Sequence, residues 1–129
     1  MHKRFIQTAA ALAGLAVVLG AFGSHGLKGM LTAAEQLTFE TAVRYQFYHA
    51  FALLCIGILF RDFANNWLRW AGRFFIYGII IFSGSLYLLT FFRVGGVEGF
   101  NWLGAITPLG GICFVIGWVL MILAIARKS

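Results

Sequence analysis

This sequence is poor in charged residues. Charged residues make up 11% of the 129-residue chain, and only four residues are acidic. Soluble globular domains carry about 25% charged residues. This chain therefore has too few charged residues to form the water-exposed surface of such a domain. The hydrophobic content of 61% and the mean hydropathy of +0.89 indicate a protein that lies in a lipid bilayer.

Cysteine is also scarce, with two residues in the chain. Cys55 and Cys113 fall at different depths in two apolar runs, farther apart than the roughly 7 Å between Cα atoms that a disulfide tolerates. They also have no neighbouring residues that would complete a metal site. We therefore predict that both are small apolar core residues, and we predict no metal and no cofactor.

Long uncharged apolar runs determine the fold class. Each run approaches or exceeds the roughly 20 helical residues that cross a bilayer core about 30 Å thick. They must be helices, because an open sheet leaves unsatisfied backbone groups in lipid. We predict an all-α, integral membrane four-helix bundle in a single domain of residues 1–129. The predicted spans cover about residues 5–23, 42–61, 73–92 and 108–126.

Two local motifs predict where helices begin. Thr32-Ala33-Ala34-Glu35 matches a capping box, which predicts a helix that runs from Ala33 into the second span and ends near Arg61. The first part of this helix is amphipathic, so we expect a short extension that lies along or enters through the outer interface. Thr107 followed by Pro108 predicts the cap and first position of the last helix.

The basic residues predict the orientation of the chain. With four spans, both termini and the loop between spans two and three share one side. That side carries seven of the ten basic residues, and the positive-inside rule then places both termini in the cytoplasm. Trp67 and Trp70, flanked by Arg69 and Arg73, are typical of interfacial anchors. The net charge of +6 is interpreted as a topology signal and a contact for anionic lipids, not for nucleic acid.

Unusual polar residues concentrate in the opposite, outer half of the membrane. A charge within a span is costly unless it is paired or reaches water, so Arg44 is the best pointer to a site. We predict a ligand or ion-pair pocket in which Arg44 contacts a phosphate or carboxylate, while Tyr48 and His49 act as directional donors. The candidate residues are His25, Glu40, Arg44, Tyr45, Tyr48, His49, Ser83, Ser85 and Tyr87.

A purely structural interpretation of the same residues stays open. Glu40 and Arg44 are four apart on a helix and can pair, and the tyrosines can form an aromatic belt. His49 would then be a neutral histidine that hydrogen-bonds a neighbouring helix through Ser83 or Ser85.

Catalytic templates fit poorly. Ser–His pairs exist, but no carboxylate is placed to orient the histidine, and the spacing of His25, His49 and Glu40 matches no metal motif. We therefore predict a non-enzymatic membrane protein whose polar pocket binds a lipid headgroup or a partner helix. The alternative is a small proton-coupled transporter or channel, which needs an ionisable group deep in a span. Glu40 and His49 are its only candidates.

Membrane lipids are the expected partners, together with a homo-oligomer formed through small-residue helix faces. Ala10 and Gly14 belong to such a face in the first span, and Gly110 and Gly117 form another in the fourth.

Four ordered segments carry a resemblance that covers essentially the whole chain. They comprise residues 19–27, 39–49, 82–87 and 107–111, the last followed by Gly117-Trp118. In these segments the sequence resembles an uncharacterised family of small four-span bacterial inner-membrane proteins, known as domain of unknown function 423 and uncharacterised protein family 0382. The resemblance implies a multi-pass membrane protein with small eukaryotic transmembrane relatives. It implies no activity, cofactor or catalytic residue.

Overall fold

The fold is a bundle of four long helices. A computed structural model describes residues Met1–Arg127, and each of its four helices is long and apolar enough to cross a membrane. This confirms the predicted all-α membrane bundle. The helices are α1 (Lys3–Gly26), α2 (Ala33–Leu59), α3 (Asn66–Val94) and α4 (Leu103–Ala126).

The start of α2 follows the predicted capping box. The Thr32 hydroxyl accepts from the Glu35 N–H at 3.1 Å, and the Glu35 carboxylate accepts from the Thr32 N–H at 2.9 Å. These reciprocal bonds satisfy two backbone donors that a helix start leaves free. From Ala33 the helix continues to Leu59 without interruption, so the amphipathic extension leads directly into the second span, as predicted.

The predicted start of the last helix at Thr107-Pro108 is wrong. α4 begins at Leu103, whose N–H donates to the Phe100 carbonyl in a preceding turn. Pro108 consequently lies inside the helix, where it removes one backbone hydrogen bond. The Thr107 side chain does not cap the helix, because its hydroxyl donates back to the Leu103 carbonyl at 3.2 Å. The turn at Phe100, and not Pro108, therefore determines where the helix begins.

Each helix packs against the next one along the chain, α1 on α2, α2 on α3 and α3 on α4. The apolar core lies toward the half that holds the termini, and its fully buried members include Leu53, Ile56, Leu68, Ala71 and Phe75. Two hydrogen bonds join segments at this end of the bundle. The His2 N–H donates to the Gly57 carbonyl of α2 at 2.9 Å, and the Asn65 side chain donates to the Ala124 carbonyl of α4 at 3.1 Å.

Two glycines of α4 allow its close approach to α3. A Cβ at Gly110 would lie 2.4 Å from the Phe82 backbone nitrogen, and one at Gly117 would lie 2.6 Å from the Phe75 ring. Both glycines therefore face α3 of the same chain and not a lipid-facing surface. The small residues Ala10 and Gly14 of α1 are exposed, so the predicted homo-oligomer now depends on that face.

Two of the helices contain a π-helical turn, at Phe22–Gly26 in α1 and at Ile79–Ser83 in α3. Such turns carry one extra residue and are frequent at functional sites. The turn in α3 ends at Ser83, one of the candidate site residues. It brings the Ser83 hydroxyl onto α2, as described below.

Both cysteines are free. The predicted core position is wrong for Cys55, which is exposed. The buried positions around it on α2 are Leu53, Ile56 and Gly57, and the helical period of about 3.6 residues turns position 55 away from that face.

Candidate functional site

The predicted site residues do not share one pocket. Glu40 and Arg44 line a groove between α1 and α2, in the half of the molecule away from the termini. His49, Ser83, Ser85 and Tyr87 lie instead where the helices contact one another. The groove, called here the α1–α2 groove, has a volume of about 340 Å³ and is lined by Gly20, Ser24, Gln36, Phe39, Glu40, Val43 and Arg44.

Small and apolar residues form the floor of the α1–α2 groove. A Cβ at Gly20 would lie 3.4 Å from a Val43 methyl group, so the two helices approach closely here. Phe39 is buried. The Gln36 side chain crosses the groove, because its amide donates at 3.4 Å both to the Gly23 carbonyl and to the Glu40 carboxylate. The result is an apolar floor beneath a polar rim.

Glu40 and Arg44 have neutral partners instead of each other. The Arg44 guanidinium donates to the Thr41 hydroxyl at 3.2 Å, while Glu40 accepts from Gln36. The Thr41 hydroxyl in turn donates to the Leu37 carbonyl at 2.8 Å. Both charged side chains are exposed at the rim. The groove therefore presents one cation and one anion, four residues apart, that a ligand can reach separately.

Gln46 joins three helices and was missed by the sequence analysis. Its amide nitrogen donates to the Leu12 carbonyl of α1 at 2.7 Å, and its amide oxygen accepts from the Tyr87 hydroxyl of α3 at 2.6 Å. The residue is 2% exposed. The available signal was its position in an uncharged run, four residues after Ala42 and three before His49, on the face that is buried.

The hydrogen bonds of His49 fix a neutral ring. Nδ1 lies 2.8 Å from the Tyr45 carbonyl, and Nε2 lies 3.1 Å from the indole Nε1 of Trp118. A carbonyl only accepts and an indole only donates, so Nδ1 carries the proton and Nε2 does not. The Phe114 ring stacks on the imidazole at 3.6 Å. The predicted bond to Ser83 or Ser85 is therefore wrong, because α4 supplies the partner.

The two serines connect α3 to its neighbours. The Ser83 hydroxyl donates to the Ala42 carbonyl of α2 at 2.7 Å, and the Ser85 hydroxyl lies 2.6 Å from the Thr107 hydroxyl of α4. Within residues 1–127, no buried side-chain nitrogen or oxygen lacks a hydrogen-bond partner. This satisfied layer is typical of groups that hold membrane helices together.

The remaining candidates lie outside the α1–α2 groove. Tyr45 stacks on Phe82 with ring centroids 4.7 Å apart, and Tyr48 is 56% exposed. His25 is exposed in the last turn of α1. The part of the chain that the structure describes holds no group of three or more His, Cys, Asp or Glu side chains that could bind a metal ion.

Comparisons with known proteins match this chain to one family of membrane proteins. A family model described as "Protein of unknown function (DUF423)" matches residues 19–111. A UPF0382 membrane protein of Staphylococcus epidermidis is 43% identical over 95% of this chain and 94% of its own length. The UPF0382 membrane protein YwdK of Bacillus subtilis is 40% identical over 97% of this chain and 98% of its own. No solved structure matches the chain.

Proposed function

This chain belongs to the DUF423 family of UPF0382 membrane proteins, and we propose that it is a non-enzymatic protein whose α1–α2 groove binds a phospholipid headgroup. In this proposal the chain lies in the bacterial inner membrane with both termini in the cytoplasm. The groove then opens to the outer leaflet. The observation that carries the proposal is the exposed guanidinium of Arg44, whose partner is the neutral Thr41 hydroxyl.

The position of Arg44 along α2 indicates that its guanidinium needs an anionic partner and not only a neutral hydroxyl. From Arg44 to the end of the helix at Leu59, a rise of about 1.5 Å per residue covers only about 22 Å. The hydrocarbon core is about 30 Å thick, so Arg44 is drawn toward the bilayer. A charge at that depth is costly without a counter-charge. A lipid phosphate supplies one, and a guanidinium binds phosphate through two parallel hydrogen bonds.

Among phospholipid headgroups, the Glu40 carboxylate favours a zwitterionic one. Its carboxylate lines the same groove as Arg44 and would repel a purely anionic lipid. An ammonium group attached to the phosphate, as in phosphatidylethanolamine, contacts the carboxylate while its phosphate contacts Arg44. The apolar floor around Gly20 and Val43 suits the glycerol and the first methylene groups of the same lipid.

Proton-coupled transport has less support. The four acidic residues are Glu35, Glu40, Asp62 and Glu98, so α1, α3 and α4 contain none. Both ring nitrogens of His49 are engaged in hydrogen bonds. Proton flux into proteoliposomes that disappears in Glu40→Gln would favour transport over the lipid proposal.

Native mass spectrometry tests the proposal. We expect the purified protein to retain phosphatidylethanolamine, and Arg44→Gln to weaken retention roughly tenfold or more, because a hydrogen bond to a charged group contributes about 1.5–3 kcal/mol. Glu40→Gln should reduce the preference for phosphatidylethanolamine over phosphatidylglycerol. Arg93→Gln is the matched control, since it removes an exposed arginine that the groove does not include.

Equal lipid retention by the wild type and Arg44→Gln contradicts the lipid proposal. If Arg44→Gln in addition loses self-association, the occupant of the groove is a partner helix.

A further inference from the structure

A second groove lies at the opposite end of the bundle, near the termini. It runs between α3 and α4 and has a volume of about 360 Å³. We call it the tryptophan groove, and its lining residues are Asn66, Trp67, Trp70, Phe74, Ile116 and Leu120. From Trp67 to Phe74 the α3 wall extends about 10 Å along the helix axis. The groove thus leads from the charged end of the bundle toward the bilayer interior.

Two arginines cover the tryptophans of this groove. The Arg73 guanidinium lies 4.7 Å from the centroid of the Trp70 ring, and that of Arg127 lies 4.9 Å from the Trp67 ring. Cation–π attraction holds each cation on its ring. Arg69 is engaged elsewhere, because it donates to the Asn66 side chain and lies 5.6 Å from the Phe60 ring centroid.

The positive charge of the arginines around the tryptophan groove is not paired with a carboxylate in the described chain. Within residues 1–127, Asp62 is the only acidic residue at this end of the molecule, and neither Arg73 nor Arg127 forms an ion pair with a carboxylate. Interfacial anchoring explains tryptophans beside arginines. It does not explain the groove of about 360 Å³ that the same tryptophans line with Phe74, Ile116 and Leu120.

We propose that the tryptophan groove binds an anionic diacyl phospholipid. One acyl chain lies along Trp70, Phe74 and Leu120, and the phosphate contacts the guanidinium groups of Arg73 and Arg127. The charge complementarity favours an anionic lipid over a zwitterionic one, because no carboxylate lines this groove to hold an ammonium group. Basic sites between membrane helices on the cytoplasmic side are suited to anionic headgroups. The site is separate from the α1–α2 groove in place, leaflet and ligand charge.

Lipid competition in native mass spectrometry tests this proposal. The detergent-purified protein is mixed with equal amounts of phosphatidylglycerol and phosphatidylcholine. We expect a preference for phosphatidylglycerol that the double variant Arg73→Gln/Arg127→Gln lowers by up to about thirtyfold, from the usual contribution of each basic residue near anionic lipid. Arg61→Gln is the matched control, because it removes an exposed arginine from the same side but not from the groove. Arg44→Gln should not lower the preference for phosphatidylglycerol, because Arg44 lies in the α1–α2 groove.

A groove-filling variant separates this site from a general effect of positive charge. Leu120→Trp keeps both arginines and narrows the groove, and we expect it to lose the preference as well. The proposal is overturned if the wild type retains both lipids equally, if Arg61→Gln has the same effect as the double variant, or if Leu120→Trp retains the full preference. Melting temperatures in the same detergent report folding. If the double variant is unfolded, the wild-type competition and Leu120→Trp decide the question.

Discussion

The close contact between α3 and α4 predicts that two adjacent glycines respond oppositely to the same substitution. A Cβ at Gly110 would meet the Phe82 backbone nitrogen at 2.4 Å and its Cα at 2.7 Å, whereas a Cβ at Gly111 meets nothing within 4 Å. Non-bonded heavy atoms prefer separations of about 3.5–4.0 Å. In Gly110→Ala, α3 and α4 must therefore move apart by about 1 Å at this level, since backbone atoms cannot rotate out of the way.

The expected cost follows from overpacking. Inserting a methyl group into a packed contact costs about 1–3 kcal/mol, so Gly110→Ala should lower the free energy of unfolding by that amount. The separation should also lengthen the neighbouring Ser85–Thr107 bond, which is 2.6 Å in the wild type. Gly111→Ala should leave stability unchanged or raise it by up to about 1 kcal/mol, because alanine restricts the unfolded chain more than glycine does.

Reversible denaturation in mixed micelles measures both variants against the wild type. Because the substitutions are chemically identical and adjacent in sequence, effects of helix propensity cancel in the comparison. Equal stability of Gly110→Ala and Gly111→Ala would refute the assigned contact between α3 and α4. A greater loss in Gly111→Ala would mean that α4 is rotated relative to the structure.

Three further predictions concern polar groups. The ¹⁵N NMR spectrum of His49 should show a neutral ring protonated at Nδ1, and Trp118→Phe should change its Nε2 signal; a charged ring near pH 7 would contradict the assigned hydrogen bonds. A double-mutant cycle with Gln46→Leu and Tyr87→Phe should give a coupling energy of about 0.6–1.7 kcal/mol, and zero coupling would mean that their bond does not form. Burial lowers the pKa of His2 below its ordinary value of 6.5. The unfolded chain then binds more protons as the pH falls below about 6.5, so stability should decrease in that range and His2→Gln should flatten the dependence.

Much of the fold could be predicted because its determinants are local or compositional. Uncharged runs of spanning length specify membrane helices whatever their neighbours are, and the Thr32–Glu35 box specifies a helix start within one turn of chain. The start of α4 could not be predicted the same way. Pro108 is compatible with a first turn, but the deciding interaction is the turn at Phe100 that brings its carbonyl to Leu103.

The candidate site was predicted less well, because counting residues gives depth in the membrane but not direction around a helix. Glu40 and Arg44 line one groove, as their common face predicts, whereas the partner of His49 depends on how α4 packs across the bundle. Gln46 was overlooked because an uncharged polar residue costs less in a span than a charge does. Its importance emerges only from its bonds to Leu12 and Tyr87.

The central claim is that a lipid phosphate completes the environment of Arg44, and a solid-state NMR distance tests it most directly. Protein labelled with ¹⁵N in its arginine side chains is placed in phosphatidylethanolamine bilayers, and dephasing of guanidinium nitrogens by lipid ³¹P is compared between the wild type and Arg44→Gln. Direct hydrogen bonds join donor and acceptor atoms within about 3 Å, so the account predicts a strongly dephased component that Arg44→Gln removes. Identical dephasing in both proteins would contradict it.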